Sequence, residues 1–298
     1  MYNIISKTKY AYIFSGIVTI ASIVAVSVWG LNLGIDFKGG TLMEVKFSQA
    51  IPPVQEIQDK LKDLELKSLT IQPSQNDSLI LRYVASDESL NENVIGKLKE
   101  FDKNLIQTKV DFIGASVSSD IKKDSVWAVI LATFSIALYI AWAFRKVSRP
   151  ISSWQYGVNA VIALIHDILI TTGVFAFLGH FYGVEVGIPF VAALLTILGF
   201  SVHDTIVVFD RTRENLIKSS SKERFPDIVN RSLNETLVRS INTSLTVIIT
   251  LLAIYIFGGE SIKFFSLALL IGITFGTYSS FFIASALLVT TYNLKVKN

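Results

Sequence analysis

The 298-residue sequence contains no cysteine, and only 17% of its residues are charged. Without cysteine the chain has no disulfide scaffold, no thiol catalysis and no cysteine-based metal site. No glycine-rich phosphate loop of the GxxxxGKS or GxxxxGKT type occurs, so we expect no ATP hydrolysis by this chain. A formal net charge of +3 is too small to indicate a nucleic-acid partner. We expect neither enzymatic activity nor a bound cofactor.

Apolar residues make up 51% of the chain, and the mean hydropathy is +0.51. The charges are clustered and the intervals between clusters are almost free of charge, which is typical of a membrane protein. The first apolar stretch resembles a signal peptide in one respect, because Ala25-Val26-Ser27 is a weak cleavage site. Its length and the later stretches favour an uncleaved helix. We predict six transmembrane helices, at residues 11–32, 124–144, 156–178, 186–209, 240–258 and 264–292.

Residues 33–123 have a mixed, charged composition that differs from the apolar stretches. Alternating and helical patterns predict six elements in the order βαββαβ, at residues 41–47, 54–66, 69–72, 79–84, 90–101 and 110–117. This order matches a ferredoxin-like α+β unit, and a unit of this size can bury a modest core. The predicted fold is therefore a membrane α-helical protein with a ferredoxin-like domain between helices one and two.

The distribution of basic residues predicts the orientation in the membrane. By the positive-inside rule, residues 1–10 and 293–298 are cytoplasmic and residues 33–123 form an external domain. Four basic clusters on one face of the predicted topology support this orientation: Lys7 with Lys9, Arg145-Lys146 with Arg149, residues 211–239, and Lys295 with Lys297.

The cytoplasmic loop at residues 210–239 contains a predicted hinge at Ser219-Ser220-Ser221. After Pro226 the pattern fits an amphipathic helix that lies along the inner membrane surface. It fits equally well a solvated helix that leads directly into the fifth span. Both interpretations stay open at the level of sequence.

The stretch LGFSVHDTIVVFDRTREN at residues 198–215 begins inside an apolar run and ends in a charged cluster. It places Asp204 within a predicted span, where a charge is costly and usually marks a functional site. Helical spacing puts Ser201, Asp204, Val208 and Arg211 on one stripe. We expect this stripe to face other helices or a hydrated path.

Arg239 opens the fifth span, and Thr243, Thr246 and Thr250 continue a polar stripe from it. Because spans four and five run in opposite directions, we expect Asp204 and Arg239 to lie at similar depth. Our hypothesis is a protonatable carboxylate paired with a fixed cation, whose proton affinity changes when the arginine moves. The alternative is a static ion pair that holds two helices together.

Three further polar residues lie within predicted spans. His166 and Asp167 are near the middle of span three, and His203 precedes Asp204. A proton relay and a structural hydrogen bond between helices are both consistent with these residues. We expect no metal ion, because adjacent His and Asp side chains diverge around a helix and chelate poorly.

Two glycine-containing segments predict structure rather than chemistry. In residues 34–40, GIDFKGG, the glycines Gly34, Gly39 and Gly40 suit a tight turn that Asp36 caps. Span six carries small residues at four-residue spacing, which predicts close helix packing and also offers a candidate contact for a partner subunit. These residues are Ala268, Gly272, Gly276, Ser280 and Ala284.

Four ordered motifs carry a resemblance that covers essentially the whole chain. The sequence resembles the SecF branch of the SecD/SecF family of protein-export membrane subunits, within the RND superfamily. His203 departs from the pattern, since many relatives carry Asn there, and this leaves its role open. No SecD half is present, so we expect a separately encoded subunit. The motifs are GIDFKGG at 34–40, LIHD at 164–167, GFSVHDTIVVFDRTREN at 199–215 and NETLVRSINTSLT at 234–246.

The resemblance implies an RND-type half in the bacterial plasma (inner) membrane. It implies a heterodimer with SecD that uses the ion (proton) gradient to assist preprotein translocation through the Sec channel complex. It further implies contact with the translocating preprotein and membrane lipid, with YajC as a further candidate partner. By motif match, Asp204 and Arg239 are the ion-coupling residues, and Asp210 and Arg211 belong to the same motif. The alternatives are half of a small-molecule exporter and a scaffold for SecD that conducts no ions.

Overall fold

A computed structural model describes residues 2–74, 77–84, 89–145, 150–219 and 223–297. The chain divides into two compact units, which are Met1–Asn32 with Trp127–Asn298, and Leu33–Val126. The strands are β1 (Gly40–Lys46), β2 (Lys67–Pro73), β3 (Ser78–Val84) and β4 (Ile106–Ile113). The helices are α1 (Thr8–Trp29), α2 (Ile35–Lys38), α3 (Val54–Leu61), α4 (Ser89–Leu98), α5 (Ala115–Ala143), α6 (Ser153–Tyr182), α7 (Ile188–Lys218), α8 (Phe225–Phe257), α9 (Glu260–Ser279) and α10 (Ser285–Lys297).

Six helical segments in the described part of the chain are long and apolar enough to cross a membrane, which confirms the predicted number of spans. The first includes a short 3-10 turn ahead of α1. The sixth joins α9 to α10 through a π-helical turn at Ser280–Ala284. The six segments are Ile5–Trp29, Ala115–Ala143, Ser153–Tyr182, Ile188–Lys218, Phe225–Phe257 and Ile262–Val296.

The small residues of the sixth span allow α9 to approach α7 closely. A Cβ atom added at Gly272 would lie 2.2 Å from Ile197 Cδ1, and one added at Gly276 would lie 2.9 Å from Ser201 Cβ. The ridge is thus buried inside the chain. The prediction of close packing is confirmed, and the idea that this ridge contacts a partner subunit is wrong.

The loop predicted at residues 210–239 is largely helical. α7 continues to Lys218, and α8 runs without a break from Phe225 into the fifth span. No separate amphipathic helix lies in the described residues, because this segment is the first part of α8. Its apolar face, including Val229 and Leu233, packs into the membrane unit's core. This segment is thus continuous with span five and partly buried, which differs from a separate helix along the membrane surface. Ser219 is the residue after α7, while Ser220 and Ser221 of the predicted hinge lie outside the described residues.

The unit Leu33–Val126 is built on a four-stranded sheet in the order β2-β3-β1-β4, and every neighbouring pair is antiparallel. This arrangement confirms the predicted βαββαβ fold. The last strand lies four residues earlier than predicted, because its pairing with β1 ends at Gly40 opposite Ile113 and α5 begins at Ala115. Residues 75 and 76 of the predicted turn lie outside the described part of the chain.

Buried and less buried side chains alternate along β1 and β3, and the buried ones form one side of this unit's core. Met43, Leu79 and Leu81 point inward from β1 and β3, and they pack against Ile57 of α3 and Leu98 and Val94 of α4. All six side chains are fully buried. Each such burial contributes about 1.5–3 kcal/mol, so this unit has a hydrophobic core of its own.

The GIDFKGG segment leads into β1 through α2, with Gly34 as its N-cap and Asp36 in its first turn. Gly39 and Gly40 have φ angles of 75° and 127°, which L side chains rarely adopt. A Cβ atom at Gly40 would also lie 2.6 Å from the carbonyl oxygen of Tyr83. The second glycine is therefore required by both conformation and space.

Candidate functional site

Asp204 lies on α7, and its carboxylate is buried against α8 and α9. Ser244 Oγ is 3.3 Å and Thr277 Oγ1 is 3.4 Å from the same oxygen, Asp204 Oδ2. The two hydroxyls are 2.7 Å from each other. Hydroxyl hydrogen bonds to oxygen are usually 2.5–3.0 Å long, so the carboxylate is held loosely in a small hydroxyl-lined pocket.

The expected Asp204–Arg239 ion pair is not formed among the described residues. Arg239 is exposed, and its carbonyl oxygen accepts a hydrogen bond from Thr243 Oγ1 at 3.0 Å. Ser240 and Ser244 of α8 both reach the Asp204 carboxylate, and Arg239 precedes Ser244 by five positions. That separation places the two side chains about 140° apart around the helix. The pairing hypothesis is wrong for this chain on its own, since the arginine points away from the pocket.

The polar stripe predicted along α8 lies on the same exposed side of the helix as Arg239. Thr243, Thr246 and Thr250 are all exposed. Their hydroxyls donate to backbone carbonyls of the preceding turn, for example Thr246 to Thr243 at 2.7 Å and Thr250 to Thr246 at 2.9 Å. The threonines are thereby satisfied in an apolar environment, and Arg239 is the charged group on this face.

A second buried carboxylate, Asp167, lies on α6 and is fully enclosed. Ser201 Oγ of α7 and Ser279 Oγ of α9 donate to Asp167 Oδ2 at 2.6 and 2.7 Å. His166 Nδ1 lies 2.9 Å from Asp167 Oδ1, and His166 Nε2 is buried without a hydrogen-bond partner in the described residues. These short bonds tie three helices to one carboxylate, so Asp167 is held far more tightly than Asp204.

A third polar contact lies between the same helices, where Thr205 Oγ1 is 2.8 Å from Ser280 Oγ. Ser280 begins the π-helical turn, and its carbonyl oxygen accepts a hydrogen bond from Ser285 Oγ at 2.9 Å. π-helical turns occur frequently at functional sites. Sequence analysis missed Ser244, Thr277 and Ser279, whose hydroxyls contact the buried carboxylates. The clustering of Ser and Thr within the apolar spans could have indicated them.

His203 is exposed and does not join either carboxylate site. Among the residues that the structure describes, no three His, Asp or Glu side chains lie where they could share a metal ion. The sequence-predicted residues therefore separate into a pocket at Asp204, a tight cluster at Asp167 with His166, and two outward-facing groups, His203 and Arg239.

The motif residues Asp210 and Arg211 lie one to two turns beyond Asp204 on α7. Arg211 Nε lies 2.6 Å from Glu235 Oε2 on α8, and Asp210 Oδ1 lies 2.8 Å from Arg213 Nη2. Asn215 Nδ2 donates to the same Glu235 oxygen at 2.6 Å. The charged groups are partly exposed, so their ion pairs contribute modestly to stability, whereas Asn215 is buried. The contacts with Glu235 join α7 to α8.

Comparison with known proteins places both units in one family. A family model described as "Protein export membrane protein SecD/SecF, C-terminal" matches residues 93–294. A second, described as "SecD/SecF GG Motif", matches residues 27–51, which contain the two constrained glycines. Together the two matches cover most of the chain.

Two curated relatives are each called "Protein translocase subunit SecF". The chain is 43% identical to the one from Thermobaculum terrenum, covering 97% of this chain and 94% of the relative. It is 39% identical to the one from Sebaldella termitidis, covering 94% and 89%.

The crystal structure of SecDF from Thermus thermophilus, described as a translocon-associated membrane protein, superposes with a TM-score of 0.82 at 32% identity. The match covers 98% of this chain and 39% of SecDF, so the chain spans about two fifths of that protein's length. With the fold, the motifs and the near full-length SecF relatives in agreement, the chain belongs to the SecD/SecF family of protein-export membrane proteins.

Proposed function

We propose that this chain is a SecF-type subunit that uses a transmembrane ion gradient to assist preprotein translocation through the Sec channel. The observation that carries the proposal is the buried Asp204 carboxylate, which is loosely held between three helices. Binding or release of a proton there requires no strong hydrogen bond to break. By contrast, Asp167 is locked by short hydrogen bonds from two helices and is better suited to a structural role.

The exposed Arg239 supports a partnership with a second membrane subunit. A charged side chain on a membrane-spanning helix is costly unless it meets a polar partner or water. Because the chain accounts for only 39% of SecDF, a separate SecD chain is the natural complement. In this proposal Arg239 faces SecD and influences ion binding from across the subunit contact rather than by pairing with Asp204 inside this chain.

The proposed orientation has both termini in the cytoplasm and the ferredoxin-like unit outside the bacterial plasma membrane. Its support is the distribution of basic clusters, of which Lys146 and Arg149 lie outside the described residues. The external unit would then meet the emerging preprotein, and the membrane unit would contact lipid and the Sec channel. Contact with YajC stays a prediction from the resemblance, and a relay role for His166, Asp167 and His203 stays a prediction from their position within the spans.

The test is export into proteoliposomes that hold this chain with SecD, the Sec channel and its ATP-driven motor. An imposed proton or sodium gradient should stimulate export by the parent chain. Asp204→Asn should remove at least about 90% of that stimulation, because the amide cannot ionise, while ATP-driven export and assembly with SecD persist. Asp210→Asn, an exposed position on the same helix, is the matched control and should retain it.

Unchanged gradient stimulation in Asp204→Asn would overturn the ion-coupling proposal and favour the scaffold. Export of small molecules, with no gradient effect on preprotein, would favour an RND-type exporter half. Comparing a pH gradient with a sodium gradient in the same assay identifies the ion.

A further inference from the structure

The main chain of the N-terminal segment, residues 2–5, is held by two asparagine side chains of α8. Tyr2 N donates to Asn234 Oδ1 at 2.7 Å, and Asn234 Nδ2 donates back to Tyr2 O at 2.8 Å. Asn230 Oδ1 accepts from Ile4 N at 2.8 Å and from Ile5 N at 3.2 Å. Asn230 Nδ2 also donates to Tyr2 O at 3.1 Å. Five hydrogen bonds thus fasten the N-terminal segment to one helix.

The chemistry of the contact is specific to an amide side chain. An asparagine offers both an acceptor oxygen and an NH₂ donor, so it can pair with a peptide group as another strand would. Asn230 and Asn234 are four residues apart and lie on the same face of α8. Beneath them the Ile4 side chain is buried in the membrane unit's core with Val229 and Leu233. The segment is therefore docked by both its backbone and an apolar anchor.

The N-terminal segment lies outside the Asp204 pocket and takes part in a connection between α8 and α9, the two helices that supply Ser244 and Thr277 to the pocket. α8 carries Ser244, about 15 Å along the helix from Asn234. On the other side, α1 is joined to α9 where Ser15 Oγ donates to Tyr278 OH at 3.2 Å. Tyr278 OH in turn donates to the carbonyl oxygen of Ala11 at 3.2 Å. Since Thr277 precedes Tyr278, residues 2–5 together with α1 form a second connection between the helix that bears Ser244 and the helix that bears Thr277, beside the direct Ser244–Thr277 hydrogen bond.

We propose that Asn230 and Asn234 are positioning residues for the Asp204 pocket. By clamping the N-terminal segment they fix α8 to the stretch of chain that leads into α1, and so keep Ser244 and Thr277 within reach of the carboxylate. The clamp, meaning the five hydrogen bonds of Asn230 and Asn234 to residues 2–5, rests only on the observed contacts. Its effect on gradient-driven export rests on the proposed function, and two experiments separate the two claims.

The first experiment measures the clamp without any activity. Tyr2 and Val238 line one cavity of about 480 Å³ beside Asn234, and the chain has no native cysteine. Tyr2→Cys with Val238→Cys keeps every clamp hydrogen bond, since Tyr2 contributes only main-chain atoms. In the full chain in membranes, a short bifunctional thiol reagent should join the two cysteines. Adding Asn230→Ala and Asn234→Ala should lower the yield at least fivefold.

Asn242→Ala is the matched control, because Asn242 is exposed on the same helix and makes none of these hydrogen bonds. It should leave the cross-linking yield unchanged. An unchanged yield in the Asn230→Ala, Asn234→Ala chain would overturn the clamp. Asn234→Asp keeps the acceptor for Tyr2 N but loses the donor to Tyr2 O, so an intermediate yield is expected.

The second experiment measures gradient-stimulated export in the reconstituted system. Asn230→Ala with Asn234→Ala should reduce the stimulation at least threefold, and Asn242→Ala should not. Deletion of residues 2–5 should reduce it similarly, and the two asparagine changes should then have no further effect. If cross-linking falls while stimulation is unchanged, the positioning role is wrong although the clamp exists. If Asp204→Asn retains stimulation, the proposed function fails while the cross-linking result stands.

Discussion

Asp167 and Asp204 are both buried carboxylates, yet the hydroxyl groups around them hold them differently. The oxygens of Ser201 and Ser279 lie 2.6 and 2.7 Å from Asp167, while those of Ser244 and Thr277 lie 3.3 and 3.4 Å from Asp204. A hydrogen bond beyond about 3.2 Å contributes little. At the residue scale, the tight carboxylate should therefore matter for stability and the loose one for ion binding.

This contrast predicts that substitutions at Asp167 and Asp204 differ in how much they lower the free energy of unfolding. Asp167→Ala should lower the free energy of unfolding by about 1–3 kcal/mol, because Ser201 loses its acceptor inside the membrane unit. Asp204→Asn should change it by less than about 1 kcal/mol, since the amide has nearly the same shape and the bonds it replaces are weak. Thermal unfolding in detergent measures both, with Asp210→Asn as an exposed control. A larger loss in Asp204→Asn than in Asp167→Ala would refute this assignment.

At the element scale, the contact between α7 and α9 depends on the absence of side chains at Gly272 and Gly276. The glycines let α9 come close enough for Ser279 to reach Asp167 and Thr277 to reach Asp204. Helix separation is therefore part of the geometry of both carboxylate sites. A change in the ridge should act on the sites without touching any polar residue.

Gly272→Ala should destabilise the protein by about 1–3 kcal/mol, because the new methyl group overlaps the Ile197 side chain and overpacking carries a cost of that order. In an Ile197→Ala chain, which is itself destabilised because a buried side chain is truncated, the added cost of Gly272→Ala should be smaller than in the parent, since the methyl group no longer meets that side chain. Gly199→Ala on α7 is the matched control, since nothing lies within 4 Å of the added Cβ atom. Thermal unfolding reports all three, and a Gly272→Ala chain as stable as the Gly199→Ala control would contradict the packing argument.

At the scale of the whole molecule, the two units have separate hydrophobic cores that share no residue. The small unit's core is formed by strand and helix residues such as Met43, Leu81 and Leu98, and the membrane unit's core includes Phe209 and Leu233. Stability should therefore be lost in one unit without being lost in the other.

Leu81→Ala tests this independence. Leu81 is fully buried, so its truncation should cost the small unit about 2–5 kcal/mol. Hydrogen–deuterium exchange of the full chain in detergent should then rise in β1 and β3 and stay at the parent rate in α6 and α7. Ile80→Ala, on the less buried side of the same strand, is the control and should have a smaller effect. Faster exchange in α6 or α7 after Leu81→Ala would show that the units unfold together.

The sequence by itself determined the number of membrane spans, the βαββαβ order and the two acidic positions within spans three and four. These features depend on local patterns, because span length, side-chain alternation and a charge in an apolar run are visible within one stretch of chain. Only the tertiary structure decided that Arg239 turns away from Asp204 and that hydroxyls from two other helices surround that carboxylate. It also decided that Asn230 and Asn234 receive the N-terminus. Those contacts depend on how each helix is rotated about its axis, and packing between residues far apart in sequence sets that rotation.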